Sequence, residues 1–314
     1  KRVIFAEGED ENMLKAAIEF GRNKLGTPIL IGAEKRIKEQ LKNIGLDENY
    51  EIEIVNSTDK EKRDKYVKHL YKRMQREGQL ERDVDRLVRN DRIAWGASMI
   101  ACKDADAMVT GNIRHYAASI EKLKRVTDPR PGEEIFGMTM ITLKGKTILV
   151  ADTNVQDFPS PDRLVKVSKS CVRVARLFGF DPKVAFLSHS TFGKPISKNT
   201  KHVREAIDLL RKEKVDFDFD GEMQPDVALN PVYQEIYPFS KIVGNANILI
   251  MPALHSAAIS TKLMKVFGGG KLIGPLLIGL GSPIEVAPLR ASTSEILNLA
   301  SIAAYSSDVI DYSN

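Results

Sequence analysis

The sequence predicts an α/β fold, in which helices cover sheets that are largely parallel. Short apolar runs alternate with longer amphipathic stretches along all 314 residues, and this alternation is typical of parallel sheets. The composition, 43% hydrophobic and 28% charged, is that of an ordinary globular protein. The length favours two domains over one.

Six apolar runs are predicted to be buried strands, since each is short and bounded by polar or turn residues. They are VIFA (3–6), PILIG (28–32), EIEIV (51–55), AMVTG (107–111), KVAFLS (183–188) and NILIMP (247–252). Helices are predicted for the amphipathic stretches that follow most of them, at 12–24, 161–178, 201–213 and 256–267. Two strand-like runs in 134–152 flank Lys144-Gly145-Lys146, which indicates a β-hairpin.

The net charge of +5 arises from 47 basic and 42 acidic residues, and much of the excess lies in residues 60–92. The first half of this segment has apolar residues at helical spacing: Tyr66, Val67, Leu70, Tyr71 and Met74. This pattern predicts an amphipathic helix with a solvated basic face. Acidic residues interleave with the basic ones and no recognition motif accompanies them, so we expect no nucleic-acid partner.

Membrane and targeting signals are not found in the sequence. No apolar run reaches the roughly 18 residues that suggest a membrane span, and we expect no membrane partner. Two cysteines, Cys102 and Cys171, fit a reducing compartment and predict a cytoplasmic protein. The chain opens at Lys1 without a methionine and enters a strand at once, which indicates a domain excised from a longer protein.

Candidate ligand-binding segments follow the predicted strands, because α/β sheets bind ligands outside the carboxyl ends of their strands. They are EGED (7–10), SHSTFGKP (188–195), DGEMQPD (220–226) and MPALHSAA (251–258). A further segment, residues 273–292, contains three glycines and three prolines, as a loop that meets a ligand requires. Its only charged residues, Glu285 and Arg290, leave it little with which to do chemistry.

Common cofactor motifs are absent. FGGGKLIG (267–274) gives neither the dinucleotide fingerprint nor the phosphate-loop pattern. The five histidines have no spacing typical of zinc sites, and we predict no metal site. In SHS (188–190), neighbouring strand residues face opposite sides, so a directly paired nucleophile and base is not expected.

Two short segments each allow two interpretations. STFGKP (190–195) has two hydroxyls, a glycine and a lysine, which suit a phosphate or pyrophosphate, but it is equally typical of an ordinary loop. DGEMQ (220–224) fits an acidic catalytic loop, and at least as well a helix cap at Asp220 or a glycine turn.

These segments resemble, in order, those of the phosphate acetyltransferase and butyryltransferase family over essentially the whole chain. The resemblance rests on FAEGEDENMLKAA, DADAMVTG, VAFLSHST, DGEMQPDVAL, NILIMPALHSAAIS and IGPLLIGLGSPIE. It implies two α/β subdomains with a coenzyme A cleft between them. The carboxyl-terminal helices then return to the first subdomain, so that residues 1–132 and 276–314 form one and 133–275 the other.

The chain departs from that family at the positions of its phosphate-binding groups. The positions aligned with two family arginines and a serine–arginine pair hold other residues: Met74, Glu121, Pro288 and Leu289. Charge-assisted contacts of this kind contribute several kcal/mol in a dry site. The resemblance therefore implies a degenerate transferase, and we assign it no catalytic residue.

The departures have a pattern of their own. VRNDRIAWGASMI, GNIRHY, STFGKP and DGEM resemble the transferase-like carboxyl-terminal domain of bacterial hybrid, NADP-dependent malic enzymes. That resemblance implies a sensor: acetyl-CoA binds the degenerate cleft and inhibits the oxidative decarboxylation of malate to pyruvate. The catalytic domain, with its NADP and divalent metal, then lies elsewhere in the same chain of a homo-oligomer, dimer or larger. No malate or NADP site is expected in these residues.

Seven residues are the candidate ligand contacts. The predicted phosphate-facing loop provides Ser190, Thr191, Gly193 and Lys194, and the second-rank candidates are His255, Ser256 and Arg290. Two alternatives stay open. In one, Arg73, Arg114 and Arg290 bind phosphate and the chain is an active phosphate acyltransferase, which converts acetyl-CoA and phosphate to acetyl phosphate and CoA. In the other, the chain is a structural module that binds no ligand and provides only oligomer contacts.

Overall fold

The computed structural model of the protein describes residues 1–45, 52–151, 158–195, 200–310 and 312. The chain forms two compact units, the first from residues 1–131 and 280–314 and the second from residues 132–279. These boundaries lie one and four residues from those drawn from the sequence.

The first unit contains five strands and seven α-helices among the described residues. In chain order they are β1 (Arg2–Phe5), α1 (Glu11–Arg22), β2 (Thr27–Ile31), α2 (Glu34–Asn43), β3 (Glu53–Val55), α3 (Lys60–Met74), α4 (Glu81–Asn90), α5 (Arg92–Ala101), β4 (Ala107–Gly111), α6 (Tyr116–Val126) and, after the second unit, β11 (Ile284–Ala287) and α12 (Thr293–Val309). A short 3-10 helix, Gln75–Glu77, joins α3 to α4.

The sheet of the first unit is parallel throughout, in the order β11-β4-β1-β2-β3. The chain proceeds from β1 to β2 and β3 on one side, and returns to place β4 on the other side of β1. The strand order therefore reverses between β1 and β4. In open α/β sheets, the crevice outside the carboxyl ends of the strands at such a reversal is the usual ligand position.

The second unit contains the remaining elements. They are β5 (Phe136–Leu143), β6 (Lys146–Ala151), α7 (Pro161–Leu177), β7 (Lys183–Leu187), α8 (Lys201–Lys212), β8 (Asp218–Met223), α9 (Pro225–Leu229), α10 (Pro231–Gln234), β9 (Ile248–Ile250), α11 (Leu254–Gly268) and β10 (Lys271–Ile278). The sheet order is β10-β5-β6-β9-β7-β8. The pairs β10–β5 and β5–β6 are antiparallel, and the other three pairs are parallel.

The α/β fold with largely parallel sheets is confirmed, as are the six predicted strands; residue 51 of the third lies outside the described residues. The four predicted helices are found to within two residues at each end. The predicted hairpin is β5–β6, and its turn residues Lys144 and Gly145 have φ of 49° and 75°. Two positive φ values match the twist of the strands that the turn connects. The helix in the basic segment is α3, which buries Tyr66, Val67, Leu70 and Met74.

Two predicted loops are strands. Residues 218–223 form β8, so Asp220 does not cap a helix; its carboxylate accepts hydrogen bonds from the Gly221 and Lys241 N–H groups and from Arg211. Most of the segment 273–292 belongs to β10 and β11, and Glu285 is buried within β11. Asp, Gly and Pro are depleted in strands, which is why composition favoured loops here.

Among the helices of the described residues, none combines the length and the apolar composition needed to cross a bilayer.

Candidate functional site

The loop after β7 contains residues 190–195, whose hydroxyls, glycine and lysine suit a phosphate. Because β7 pairs in parallel with β8 and β9, the carboxyl ends of these strands meet at one edge of the second unit's sheet. The loop closes on itself through two backbone bonds, from Thr191 N to Lys194 O (2.9 Å) and from Lys194 N to Thr191 O (3.2 Å). The Phe192 N–H ties it to β8 by donating to the Glu222 carbonyl at 2.8 Å.

A carboxylate of the protein occupies the concave side of this loop. Glu222 is 2% exposed, and its Oε1 accepts hydrogen bonds from the Ser190 hydroxyl (3.1 Å) and the Gly193 N–H (2.9 Å). Its Oε2 accepts a hydrogen bond from Arg204 Nε at 2.9 Å. Two groups predicted to bind phosphate thus hold an internal anion, through hydrogen bonds that its charge strengthens.

The other candidates of this loop lie nearer the surface. The Lys194 side chain is exposed, and Thr191 Oγ1 accepts a hydrogen bond from the Gln224 N–H at 3.2 Å. His189 is exposed whereas Ser188 and Ser190 are buried, and all three follow β7 rather than belonging to it.

His255 and Ser256 lie in the first turn of α11, which follows β9 at the same edge of the sheet. The His255 side chain is exposed. The Ser256 hydroxyl donates to the Ala253 carbonyl at 2.7 Å, within its own turn. Arg290, the remaining candidate, belongs to the first unit and is exposed, with its N–H donating to Asn112 O at 2.8 Å.

In the first unit, a buried carboxyl group lies where the strand order reverses. Glu7 follows β1 and is 0% exposed. It accepts hydrogen bonds from the Thr110 hydroxyl (3.0 and 3.2 Å) and the Gly111 N–H (3.1 Å), both at the end of β4. Burial raises the pKa of Glu7 to about 7, and the opposing effects of Arg114 and Thr110 only limit the rise.

Gly111 has no acceptable substitute in this geometry. Its φ is 112°, and a Cβ there would lie 2.3 Å from the Ala287 carbonyl oxygen. The absence of a side chain lets β4 approach the end of β11 closely and directs the Gly111 N–H at Glu7.

A cavity of about 400 Å³ opens beside Glu7, outside the carboxyl ends of β1 and β4. It is lined by residues of the turn after β1, the end of α4, the start of α5, the loop after β4 and α6: Glu7, Glu9, Asp10, Asn90, Asp91, Arg92, Ile113, Arg114 and Lys122. The sequence analysis placed residues 7–10 at a ligand edge but missed Arg92 and Lys122. Only the strand order brings these two cations to the same edge.

The positions at which the sequence departs from the transferase pattern lie in the first unit. Met74 is 2% exposed, in the core face of α3. The Glu121 side chain is exposed on α6, Pro288 is partly buried and Leu289 is exposed.

Arg73, the neighbour of Met74, already has an anionic partner. Its Nη2 and Nε donate to Asp128 Oδ1 (2.6 Å) and Oδ2 (3.1 Å). Such a two-point pair uses the side of the guanidinium that would otherwise bind a phosphate.

No group of three or more His, Cys, Asp or Glu side chains within the described ranges is arranged to hold a metal ion.

Comparisons with known proteins cover nearly the whole chain. The model of the family described as "Phosphate acetyl/butaryl transferase" matches residues 1–304. The NADP-dependent malic enzyme of Rhizobium meliloti (strain 1021) is 44% identical over 97% of this chain and 40% of its own length. A probable NADP-dependent malic enzyme of Rickettsia prowazekii (strain Madrid E) is 38% identical over 96% of this chain and 41% of its own length.

The chain thus spans about 40% of the length of these curated relatives. Among solved structures, a phosphotransacetylase from Streptococcus pyogenes superposes with a TM-score of 0.90 and 28% identity, covering 98% of this chain and 94% of that one. With a family model matching residues 1–304 and a shared fold over both units, the chain belongs to the phosphate acetyl/butaryl transferase family.

Proposed function

We propose that the chain is a non-catalytic, transferase-like regulatory domain of an NADP-dependent malic enzyme and that it binds acetyl-CoA as an allosteric inhibitor. The whole protein then carries out oxidative decarboxylation of malate to pyruvate in the cytoplasm, as a homo-oligomer. Its NADP and divalent metal belong to a catalytic domain in the same chain. The malic enzymes similar to this chain are long enough for such a domain, since the chain spans about 40% of each.

One observation carries the non-catalytic part of the proposal. Met74 is buried in the core at the position aligned with a family arginine, and the adjacent Arg73 is held by Asp128 in a two-point ion pair. An acyl phosphate needs fixed positive charge to stabilise its transition state. Here the displaced arginine is already paired with a carboxylate of the protein.

Loss of catalysis does not require loss of binding. The loop after β7 keeps its shape through Glu222, and the exposed Lys194 offers an ammonium group to a phosphate of coenzyme A. Inhibition then requires that acetyl-CoA bind one conformation of the whole enzyme more tightly than another, since equal affinity shifts no equilibrium.

The alternative function is an active phosphate acyltransferase. It is favoured by the superposition on a phosphotransacetylase over 98% of the chain. In that case Arg114 and the exposed Arg290 bind the phosphate, although neither aligns with a family arginine.

Calorimetric titration with acetyl-CoA, with CoA alone as control, tests the proposal when the same sample is assayed for acetyl phosphate formation. Saturable binding without turnover is the expected result. Turnover would establish the alternative, and no binding would leave a structural module.

Two variants of exposed lysines locate the binding. Lys194→Ala is expected to weaken acetyl-CoA binding about tenfold, as the loss of one charge-assisted contact does. Lys212→Ala, at the exposed end of α8, removes the same charge elsewhere in the second unit and serves as the matched control. Equal effects of the two would place the ligand away from the loop. In the whole protein, acetyl-CoA is expected to slow malate-dependent NADPH formation, and Lys194→Ala to relieve this inhibition.

A further inference from the structure

The cavity beside Glu7 carries an inference that does not rest on acetyl-CoA binding. Its charged groups come from four segments around Glu7: Glu9 and Asp10 from the turn after β1, Asp91 and Arg92 from the start of α5, Arg114 from the loop after β4, and Lys122 from α6. The partners of each group decide which of them remains available to a ligand.

Three of the acidic groups already have hydrogen-bond or ion-pair partners within the first unit. Glu9 accepts hydrogen bonds from the Ala33 N–H (2.9 Å) and pairs with Arg92 Nη2 (2.9 Å). Asp91 caps α5 and pairs with Lys122.

Asp10 likewise caps α1, accepting from the Met13 N–H at 3.0 Å, and accepts a second hydrogen bond from Asn112 Nδ2 at 2.5 Å. The ion pairs with Glu9 and Asp91 also place Arg92 and Lys122 each against a carboxylate.

Arg114 is held differently. Its Nη1 is buried and has no hydrogen-bond partner among the described residues. Nη1 lies 3.8 Å from Glu7 Oε1, which is within ion-pair range but beyond hydrogen-bond distance. A buried guanidinium nitrogen without an acceptor is costly, and a ligand oxygen in the cavity would remove that cost.

We infer that this cavity binds a small oxyanion, a carboxylate or a phosphate group, on the Arg114 guanidinium while Glu7 is in its neutral form. The planar guanidinium matches both groups in shape and charge. A volume of about 400 Å³ lies at the small end of ligand pockets, and the charged lining excludes an apolar ligand.

Binding is coupled to a proton on Glu7. An ionised Glu7 repels the oxyanion and attracts Arg114, whereas a neutral Glu7 leaves Arg114 to the ligand. Because burial raises the pKa of Glu7 to about 7, both forms are populated near neutral pH. Affinity is therefore expected to fall about tenfold per pH unit above about pH 7, the slope of one linked proton.

The test is calorimetric titration of the chain with sulfate, as the tetrahedral probe, and with succinate, as the carboxylate probe. Titrations run at constant ionic strength from about pH 6.5 to 8.5, in two buffers that differ in ionisation enthalpy, so that proton uptake is measured directly. Binding of sulfate alone indicates a phosphate ligand, and binding of succinate alone a carboxylate; either supports the inference. Binding of neither probe would overturn it.

Three variants distinguish binding at Arg114 from a nonspecific effect of the chain's net charge. Arg114→Gln is expected to weaken binding at least tenfold, whereas Arg89→Gln, an exposed arginine of α4 paired with Asp85, should leave it unchanged. Glu7→Gln should keep binding, remove its pH dependence and abolish proton uptake. If Arg114→Gln fails to fold, the Glu7→Gln titration decides alone: a pH dependence that persists in this variant would refute the coupling.

Discussion

Replacing Glu7 with Gln should change how the stability of the first unit depends on pH. The pKa of Glu7 is about 7 in the folded chain because of burial, against an ordinary value of 4.5. The folded state thus holds the proton to higher pH than the unfolded state does. The stability that this group contributes is fully present below 4.5 and is lost as pH rises through 7. The total loss is about 3 kcal/mol, of which about 2 kcal/mol falls between about pH 5.5 and 8.

Urea denaturation at a series of pH values measures this effect. Trp95 is the single tryptophan of the chain, is buried in α5 and packs edge-on against Tyr66 at 5.0 Å. Its fluorescence therefore reports on unfolding of the first unit. The difference in free energy of unfolding, Glu7→Gln minus wild type, should rise by about 2 kcal/mol as the pH increases from about 5.5 to 8.

Glu9→Gln is the matched control. Burial opposes ionisation of Glu9, but the Ala33 N–H and Arg92 outweigh it, and the pKa of Glu9 is lowered. The stability contributed by Glu9 is present above the ordinary pKa of 4.5 and is lost only as pH falls below it. Its substitution should therefore cost a constant amount between pH 5.5 and 8. If the difference between Glu7→Gln and the wild type is equally constant, Glu7 does not titrate in this range and the reasoning fails.

Three further substitutions test the roles of buried residues. Gly111→Ala should cost at least about 2 kcal/mol, because its Cβ would clash with Ala287 O at 2.3 Å; the same fluorescence assay measures it. Met74→Ala should cost about 2–4 kcal/mol in that assay, as expected for a core methionine rather than a binding position. Glu222→Gln should cost about 1–3 kcal/mol by weakening the pair with Arg204, and circular dichroism at 222 nm should show it as a lower urea midpoint.

Most of the strands that the sequence predicted share a clear physical signal, since they are short apolar runs that both faces of a parallel sheet can bury. Two of the strands that it missed, β8 and β10, lack this signal. β8 contains Asp218, Asp220 and Gly221, and β10 contains Gly274-Pro275 at an irregularity in its pairing with β5. β8 and β10 are the edge strands of their sheet, where such residues are tolerated because one side of the strand has no partner.

The candidate sites were predictable only in part. The loop from Ser190 to Lys194 was recognisable from its residue types, but its partner Glu222 lies on another strand, 32 residues from Ser190. The position of Glu7 at the end of β1 was recognisable as well. That Arg92, Arg114 and Lys122 surround it depends on β4 lying beside β1, and strand order is a property of the whole fold.

The two buried carboxyl groups differ in how they hold their neighbouring arginine, and from this difference we predict where a ligand binds. Arg204 lies 2.9 Å from Glu222, which also accepts hydrogen bonds from Ser190 and Gly193. A ligand phosphate that took the place of Glu222 would have to break three charge-assisted hydrogen bonds at once. The phosphates of acetyl-CoA are therefore expected to contact the outer face of this loop, at Lys194, while Ser190 holds the loop in shape.

Arg114, by contrast, makes no hydrogen bond to Glu7 through Nη1 and lies 3.8 Å from it. A ligand there competes only with a carboxyl group that is partly neutral near pH 7. We therefore expect Arg114 to be available to a small oxyanion, whereas Glu222 fills the concave side of the second unit's loop. Ser190→Ala should accordingly lower the stability of the second unit more than it lowers its affinity for acetyl-CoA, and Lys194→Ala should do the reverse. Denaturation and calorimetry on the same two variants measure both effects, and a Ser190→Ala variant of unchanged stability that no longer bound acetyl-CoA would contradict this assignment.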